Sequence, residues 1–248
     1  MSAICVTVVR TAGSVPREAG TQMLVWADRI SGTIGGGALE WEAMKTARAM
    51  LVDGRQPFEE TVPLGPSRGQ CCGGAVTLGY AVAEEITPVA GRPLWIYGAG
   101  HVGRALVQVM APLPDFAITW VDTAQARFPD DIPENVTPFV AADPAQAVPH
   151  APDAAEHLIL TYAHEIDLAV CHAVLSRPFA GAGLIGSQTK WRRFQRRLQS
   201  LGHAEAQIAR IACPIGEPRL GKHPQAIALG VATAMIMPGQ LREREQTG

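Results

Sequence analysis

Three glycine-rich segments hold the residues whose types and spacing are best suited to chemistry. The first runs from Gly98 to Gly103 as Gly-x-Gly-x-x-Gly, between an apolar strand pattern and an amphipathic helix pattern. A second strand pattern ends at Asp122, 24 residues after Gly98. In this dinucleotide fingerprint, Gly98 permits a tight turn, Gly100 admits a pyrophosphate to the backbone, and Gly103 lets helix and strand pack closely.

Asp122 adds a preference between nucleotides. A carboxylate at this position accepts hydrogen bonds from ribose hydroxyls and repels a 2′-phosphate. The alternative interpretation is a Rossmann scaffold that holds no nucleotide. The sequence therefore predicts the fold, with NAD or another nucleotide as a candidate ligand.

The second segment places Gly35, Gly36 and Gly37 directly before a helix pattern. Because the first amides of a helix have no intrahelical partner, several of them could face an anion the size of a phosphate. A tight strand-to-helix turn is the alternative interpretation, and the residues alone leave both open.

The third segment contains two adjacent cysteines, Cys71 and Cys72, between Gly69-Gln70 and Gly73-Gly74. Adjacent cysteines are poorly suited to closing a tetrahedral zinc site, whose ligand pairs are usually separated by two residues. Glycines on both sides predict an exposed thiol, available to a soft metal, a dithiolene complex or a transferred sulfur. The alternative is a pair of small apolar residues in a packed turn.

Composition narrows the classes of protein to consider. A net charge of -2 and a pI near 6.4 give no overall reason to expect nucleic acid or an anionic membrane as partner. Five irregularly spaced cysteines favour a reducing compartment over a disulfide scaffold. Since the sequence shows no signal-peptide pattern and no apolar run of bilayer length, we expect a cytoplasmic protein.

The elements that must position these residues fall into two halves. The first contains short strand patterns broken by glycine and one helix pattern, at residues 4–10, 22–27, 58–63 and 75–83 and at residues 38–53. In the second, strand patterns alternate with helix patterns, which predicts a parallel sheet covered on both faces. We predict an α/β protein with a small glycine-rich α+β N-terminal domain, residues 1–86, followed by a Rossmann-like parallel-sheet domain, residues 93–240.

The same segments resemble the successive signatures of the xanthine dehydrogenase accessory factor family, XdhC/CoxI. The N-terminal resemblance lies in Thr-Ala-Gly-Ser-Val-Pro-Arg ending at Arg17, in residues 32–40 and in residues 69–74. The second half resembles the family's Rossmann-like domain at residues 98–103, 161–167, 183–187 and 213–216. These motifs share the order and spacing of the family and cover nearly the whole chain.

The resemblance implies a chaperone that carries molybdenum cofactor (molybdopterin) and is not itself an enzyme. Such a protein protects the cofactor while a cysteine desulfurase exchanges its terminal oxo ligand for sulfur, and then inserts it into an apo-molybdenum hydroxylase of the xanthine dehydrogenase type. Cys71 and Cys72 are the candidates for the metal end of the cofactor. The 35–37 turn and Arg17 are the candidates for the phosphate or pterin end.

Two positions depart from the family pattern. Residues 161–164 read Thr-Tyr-Ala-His, so His164 stands alone where the family has a histidine pair, and Cys213 stands where serine is common. Two other functions stay open. One is an NAD-dependent oxidoreductase in which His164 or Tyr162 acts as acid or base, although the sequence offers no clear catalytic constellation. The other is a docking protein whose Rossmann site is empty.

Two C-terminal helix patterns bear on partner proteins. Residues 188–201 carry five basic side chains, which either dock a partner or form a solvated face. Residues 224–237, bounded by Pro224 and Pro238, are apolar around most of the helix. Because one sheet face does not need that much apolar surface, we expect a homodimer.

Overall fold

The computed structural model describes residues 2–65, 73–83 and 91–237. The chain forms two compact units that divide between Val89 and Ala90, and the two predicted domains lie on either side of this division. The predicted fold class is confirmed, since an antiparallel sheet domain precedes a parallel, Rossmann-like sheet domain.

The first unit is a five-stranded antiparallel sheet of order β3-β2-β1-β5-β4 with one helix, α1. Its elements are β1 (Ala3–Ala12), β2 (Gln22–Val25), β3 (Ile30–Gly32), α1 (Gly37–Asp53), β4 (Phe58–Pro63) and β5 (Ala75–Ala83). The alternating residues Ile4, Val6 and Val8 of β1 enter a core that also contains the apolar stripe of α1. The buried residues of that stripe are Leu39, Ala43, Ala47 and Met50.

The register between β1 and β5 decides where the motif loops lie. The two strands pair antiparallel until Ala12 meets Ala75, so the chain leaving β1 and the chain entering β5 lie side by side. β3 was not predicted as a strand because its three residues are all exposed and show no alternation of buried and exposed positions.

The second unit is a six-stranded parallel sheet of order β11-β10-β9-β6-β7-β8. Its strands are β6 (Arg92–Tyr97), β7 (Phe116–Asp122), β8 (Val136–Val140), β9 (Glu156–Ile159), β10 (Gly181–Leu184) and β11 (Ile211–Ala212). Its helices are α2 (His101–Met110), α3 (His164–Leu175), α4 (Gln188–Ser200), α5 (Glu205–Ile208) and α6 (Pro224–Ile236). Successive strands lie on both sides of β6, so the direction of winding reverses between β6 and β9, where open α/β sheets bind ligands.

The central strand β6 shows why both faces of this sheet are covered. Leu94 and Ile96 enter a core that contains residues of α2 and α6. Trp95 and Tyr97 point to the opposite face, into a core that contains residues of α3 and α4. A strand buried on both faces reads as a continuous apolar run, which is the pattern that its sequence shows.

Most of the apolar surface of α6 is buried within the second unit. Its inward face packs against α2, and the exposed apolar side chains are Leu229 and Ile236, with Met237 just beyond the helix. None of the helices in the described ranges has both the length and the apolar character needed to cross a membrane.

Candidate functional site

The structure brings the described parts of the N-terminal motifs together at one end of the first unit. A Cβ atom added at Gly13 lies 3.2 Å from Gly74 Cα, and one added at Gly74 lies 2.5 Å from the carbonyl oxygen of Ser14. A Cβ atom added at Gly35 lies 2.7 Å from Pro16 Cγ. The loops therefore pack against each other without space for larger residues, and we call this group of residues 13–17, 33–40 and 73–74 the motif cluster.

Within the motif cluster, Glu40 occupies part of the predicted anion site. Its Oε2 accepts hydrogen bonds from Thr33 Oγ1 at 2.5 Å, from the amide of Ile34 at 3.2 Å and from the amide of Gly36 at 3.1 Å. A carboxylate in this position also interacts favourably with the helix dipole. The glycine turn is thus both a tight strand-to-helix connection and an anion site, and its first anion belongs to the chain itself.

Space and positive charge remain beside the same turn. A Cβ atom added at Gly36 or Gly37 meets no atom within 4 Å, and both glycines have positive φ angles, so other residues would be strained there. Arg17 is exposed, with its Cγ 3.6 Å from a Cβ added at Gly35. In the described part of the chain, Arg17 has no hydrogen-bond or ion-pair partner. The amides of the first turn of α1 have no intrahelical partner, so the arrangement can accept a phosphate there, within reach of the exposed side chain of Arg17.

The predicted metal ligands Cys71 and Cys72 lie outside the described residues, directly before Gly73 in the sequence. Of the other thiols, Cys5 and Cys171 are buried and Cys213 is half-buried. Burial raises the pKa of Cys213 to about 12, so its thiol is protonated at neutral pH. The described ranges contain no group of three or more His, Cys, Asp and Glu side chains placed to hold a metal.

In the second unit, the glycines of the fingerprint have different roles. Gly98 has a φ of 119°, and a Cβ added there lies 2.5 Å from the carbonyl oxygen of Leu160. A Cβ added at Gly103 overlaps the carbonyl oxygen of Gly98. Gly100 has an ordinary extended φ of -75°, and a Cβ added there meets nothing within 4 Å. Gly98 and Gly103 are therefore required by packing, whereas the space beside Gly100 is open to a ligand.

Asp122 is held by its own chain. It is 2% exposed; its Oδ2 accepts from the amide of Ala99 at 2.5 Å, and its Oδ1 accepts from the amide of Thr123 at 2.6 Å. Arg127 Nε lies 2.5 Å from the same Oδ1. The carboxylate thus ties the glycine loop to the end of β7, and the predicted contact with a ribose remains a prediction.

A second buried carboxylate lies beyond β9. Asp167 accepts from Thr161 Oγ1 at 2.7 Å and forms an ion pair with Lys190 at 2.5 Å, while Lys190 Nζ also donates to the carbonyl of Ile185 at 2.9 Å. Asp167 therefore fastens the ends of β9 and β10 to α3 and α4. His164 lies at the start of α3 and packs edge-on to Phe194.

Sequence reasoning missed the side chains that hold these loops, namely Glu40, Arg127 and Lys190. A carboxylate four residues after Gly36 was a usable signal for Glu40, because side chains near a helix start can reach back to its amides. Lys190 had no local signal, since its partner Asp167 lies on a different helix, and a spacing of five residues between Asp122 and Arg127 matches no regular helix or strand period.

Comparison with known proteins agrees with this two-part architecture. The model of the XdhC and CoxI family matches residues 2–62, and that of the XdhC Rossmann domain matches residues 94–235. The protein YqeB of Escherichia coli strain K12 is 31% identical over 239 residues, which are 92% of this chain. The chain spans 42% of the length of that relative.

A solved structure from Bacillus halodurans, described as a xanthine dehydrogenase, has the same fold. Its TM-score is 0.76 at 16% identity, over 99% of this chain and 93% of that one. At this identity the similarity establishes the fold alone. Because the two family models together match both units in order, the chain belongs to the XdhC and CoxI family.

Proposed function

We propose that this protein binds molybdenum cofactor as cargo and delivers it to a xanthine dehydrogenase-type molybdenum hydroxylase. The observation that carries the proposal is the motif cluster: loops far apart in sequence pack together where free helix amides, open space and an exposed arginine coincide. Family membership supports an accessory role in the maturation of such enzymes. The protein acts as a carrier and does not turn over a substrate.

The described residues fit the phosphate end of the cargo. The open positions beside Gly36 and Gly37 allow a phosphate to approach the first turn of α1, and Arg17 supplies a charge-assisted hydrogen bond. Glu40 holds the turn in shape by accepting from the amides of Ile34 and Gly36. Cys71 or Cys72 ligates or shields the molybdenum dithiolene, whose soft ligand chemistry suits a thiolate.

The partners follow from this cargo. A cysteine desulfurase supplies the sulfur that replaces the terminal oxo ligand while the cofactor is bound, and the apo-hydroxylase then receives it. Holding the metal end against a thiol keeps an oxidisable dithiolene away from solvent during this exchange.

The test is to purify the protein anaerobically from cells that make the cofactor and to measure molybdenum and pterin per chain. The double variant Cys71→Ser, Cys72→Ser should retain at least about tenfold less cofactor, because a hydroxyl is a harder and much less acidic ligand than a thiol. Cys213→Ser is the matched control, since it removes a thiol of the second unit, and it should retain wild-type amounts. Equal cofactor content in the double variant and in wild type would remove the thiols from the proposal.

We also propose that the protein acts as a homodimer. Leu229, Ile236 and Met237 form an exposed apolar stripe at α6, and a second subunit would bury it. Symmetric dimers are the commonest oligomers. Light scattering at micromolar concentration should give twice the chain mass of 26.4 kDa, and a mass near 26.4 kDa would reject the dimer.

A further inference from the structure

Arg127 is fixed on two sides at the edge of the fingerprint crevice. Its Nε lies 2.5 Å from Asp122 Oδ1, and its backbone carbonyl accepts a hydrogen bond from Arg104 Nη2 at 2.7 Å. Arg104 in turn donates from Nε to the carbonyl of Ala99, at 3.0 Å. The position of Arg127 is therefore tied both to the end of β7 and to the glycine loop.

The guanidinium of Arg127 also stacks on an aromatic ring from a different loop. Its Cζ lies 4.2 Å from the ring centroid of Tyr162, which follows β9. In the sheet, β6 lies between β9 and β7, so this contact joins the loops on either side of the glycine loop. With adjacent strands about 4.8 Å apart, the contact bridges two strands that are roughly 10 Å apart.

A dinucleotide bound at a Gly-x-Gly-x-x-Gly loop would occupy the space between the loops that Arg127 and Tyr162 join. It lies across the carboxyl ends of these strands, with the pyrophosphate at the glycine loop and a ribose on the acidic residue after the second strand. Here that residue is Asp122, whose side chain is 2% exposed and whose two oxygens both accept from backbone amides of the chain. The position beside Gly100 is open, so only the ribose end of the crevice is blocked.

From these contacts we infer that Arg127 and Tyr162 form a clasp that determines the specificity of the crevice by excluding dinucleotides. Arg127 neutralises the buried carboxylate that would receive a ribose, and Tyr162 holds Arg127 there from the opposite loop. The ligand class that the clasp shuts out is NAD-type dinucleotides. The inference does not depend on the carrier function of the first unit.

The experiment measures NADH binding to the full chain by fluorescence titration up to millimolar concentration. Tyr162→Ala removes a side chain that is 62% exposed, so the fold is preserved, and it should bind NADH about fivefold more tightly than wild type or better. Tyr162→Phe keeps the ring over the guanidinium and is the matched control, which should bind as weakly as wild type.

A double variant tests whether the NADH binding gained by Tyr162→Ala takes place at the glycine loop. Adding Gly100→Val to Tyr162→Ala should abolish the gain, because the new side chain fills the open pyrophosphate position, where an added Cβ meets no atom within 4 Å. Equal affinities in wild type and Tyr162→Ala, no binding in any variant, a gain in Tyr162→Phe as large as in Tyr162→Ala, or a gain that survives Gly100→Val would each overturn the clasp.

Discussion

The two glycine-rich helix starts of this protein look alike in sequence and differ in what occupies their amides. At α1, Glu40 accepts from two amides and leaves the positions beside Gly36 and Gly37 open, with Arg17 exposed next to them. At α2, Asp122 accepts from the amide of Ala99 and is itself neutralised by Arg127. Each site has an internal anion, but only the first keeps an unpaired cation among the described residues.

The comparison shows that a glycine loop before a helix predicts where backbone amides converge. It does not predict which group accepts their hydrogen bonds. A side chain of the same chain can supply the anion, and its own counter-charge then decides whether the site still attracts a ligand. The ability to bind an anion therefore depends on residues outside the motif.

The largest expected effect on stability comes from comparing substitutions at two glycines of the fingerprint in the second unit. Gly103→Ala places a Cβ on the carbonyl oxygen of Gly98 and should cost about 3 kcal/mol or more in the free energy of unfolding, or prevent folding. Gly100→Ala, only three residues away, has open space and an allowed φ, so it should change stability by less than about 1 kcal/mol. Urea unfolding of both variants checks this, and similar losses would mean that the loop packs differently.

The two units should also differ in their response to acid, because all seven histidines of the chain lie in the second unit. Burial lowers the pKa of His157 to about 4, and its Nδ1 lies 3.0 Å from the hydroxyl of Tyr97. Between pH 6.5 and 4 the unfolded chain binds a proton at His157 that the folded chain does not. Stability contributed by the neutral ring is therefore present above pH 6.5 and is lost as pH falls towards 4, by up to about 3 kcal/mol.

Urea unfolding at pH 7, 5.5 and 4.5 measures this loss. His157→Gln, which cannot titrate, should show a smaller decrease over the same range than wild type, whatever its stability at pH 7. Identical pH dependence in the two proteins would show that His157 is not the group responsible.

The smallest expected effect compares the two internal anions. Asp122→Ala leaves Arg127 and the amide of Ala99 without their partner in a buried setting, and it should cost about 2 to 3 kcal/mol in the free energy of unfolding. Glu40→Ala acts at a more accessible turn and should cost about 1 kcal/mol. A greater loss for Glu40→Ala, measured by chemical denaturation, would reverse the roles assigned to the two carboxylates.

Helices and strands were predicted well from the sequence wherever the pattern of apolar residues was long enough to fit only one type of element. The predicted ranges 58–63 and 75–83 coincide with β4 and β5, and the helix predicted at residues 38–53 begins one residue earlier. β11 was missed because two residues are too short to show a period. The glycine positions were predicted as sites, but their occupants were not: Glu40 had a local signal that was not used, and the five-residue spacing of Asp122 and Arg127 carries none.

The central claim is that the motif cluster of the first unit holds the anionic end of molybdenum cofactor. The most direct measurement is the cofactor content of Arg17→Ala compared with Arg55→Ala, after anaerobic purification of both proteins. Arg55 follows α1 at its opposite end and pairs with Asp53, so its removal makes the same change in charge away from the cluster. We expect Arg17→Ala to retain about tenfold less molybdenum and pterin, since a charge-assisted hydrogen bond to phosphate is lost, and Arg55→Ala to match wild type. Equal cofactor content in the two variants would contradict the account.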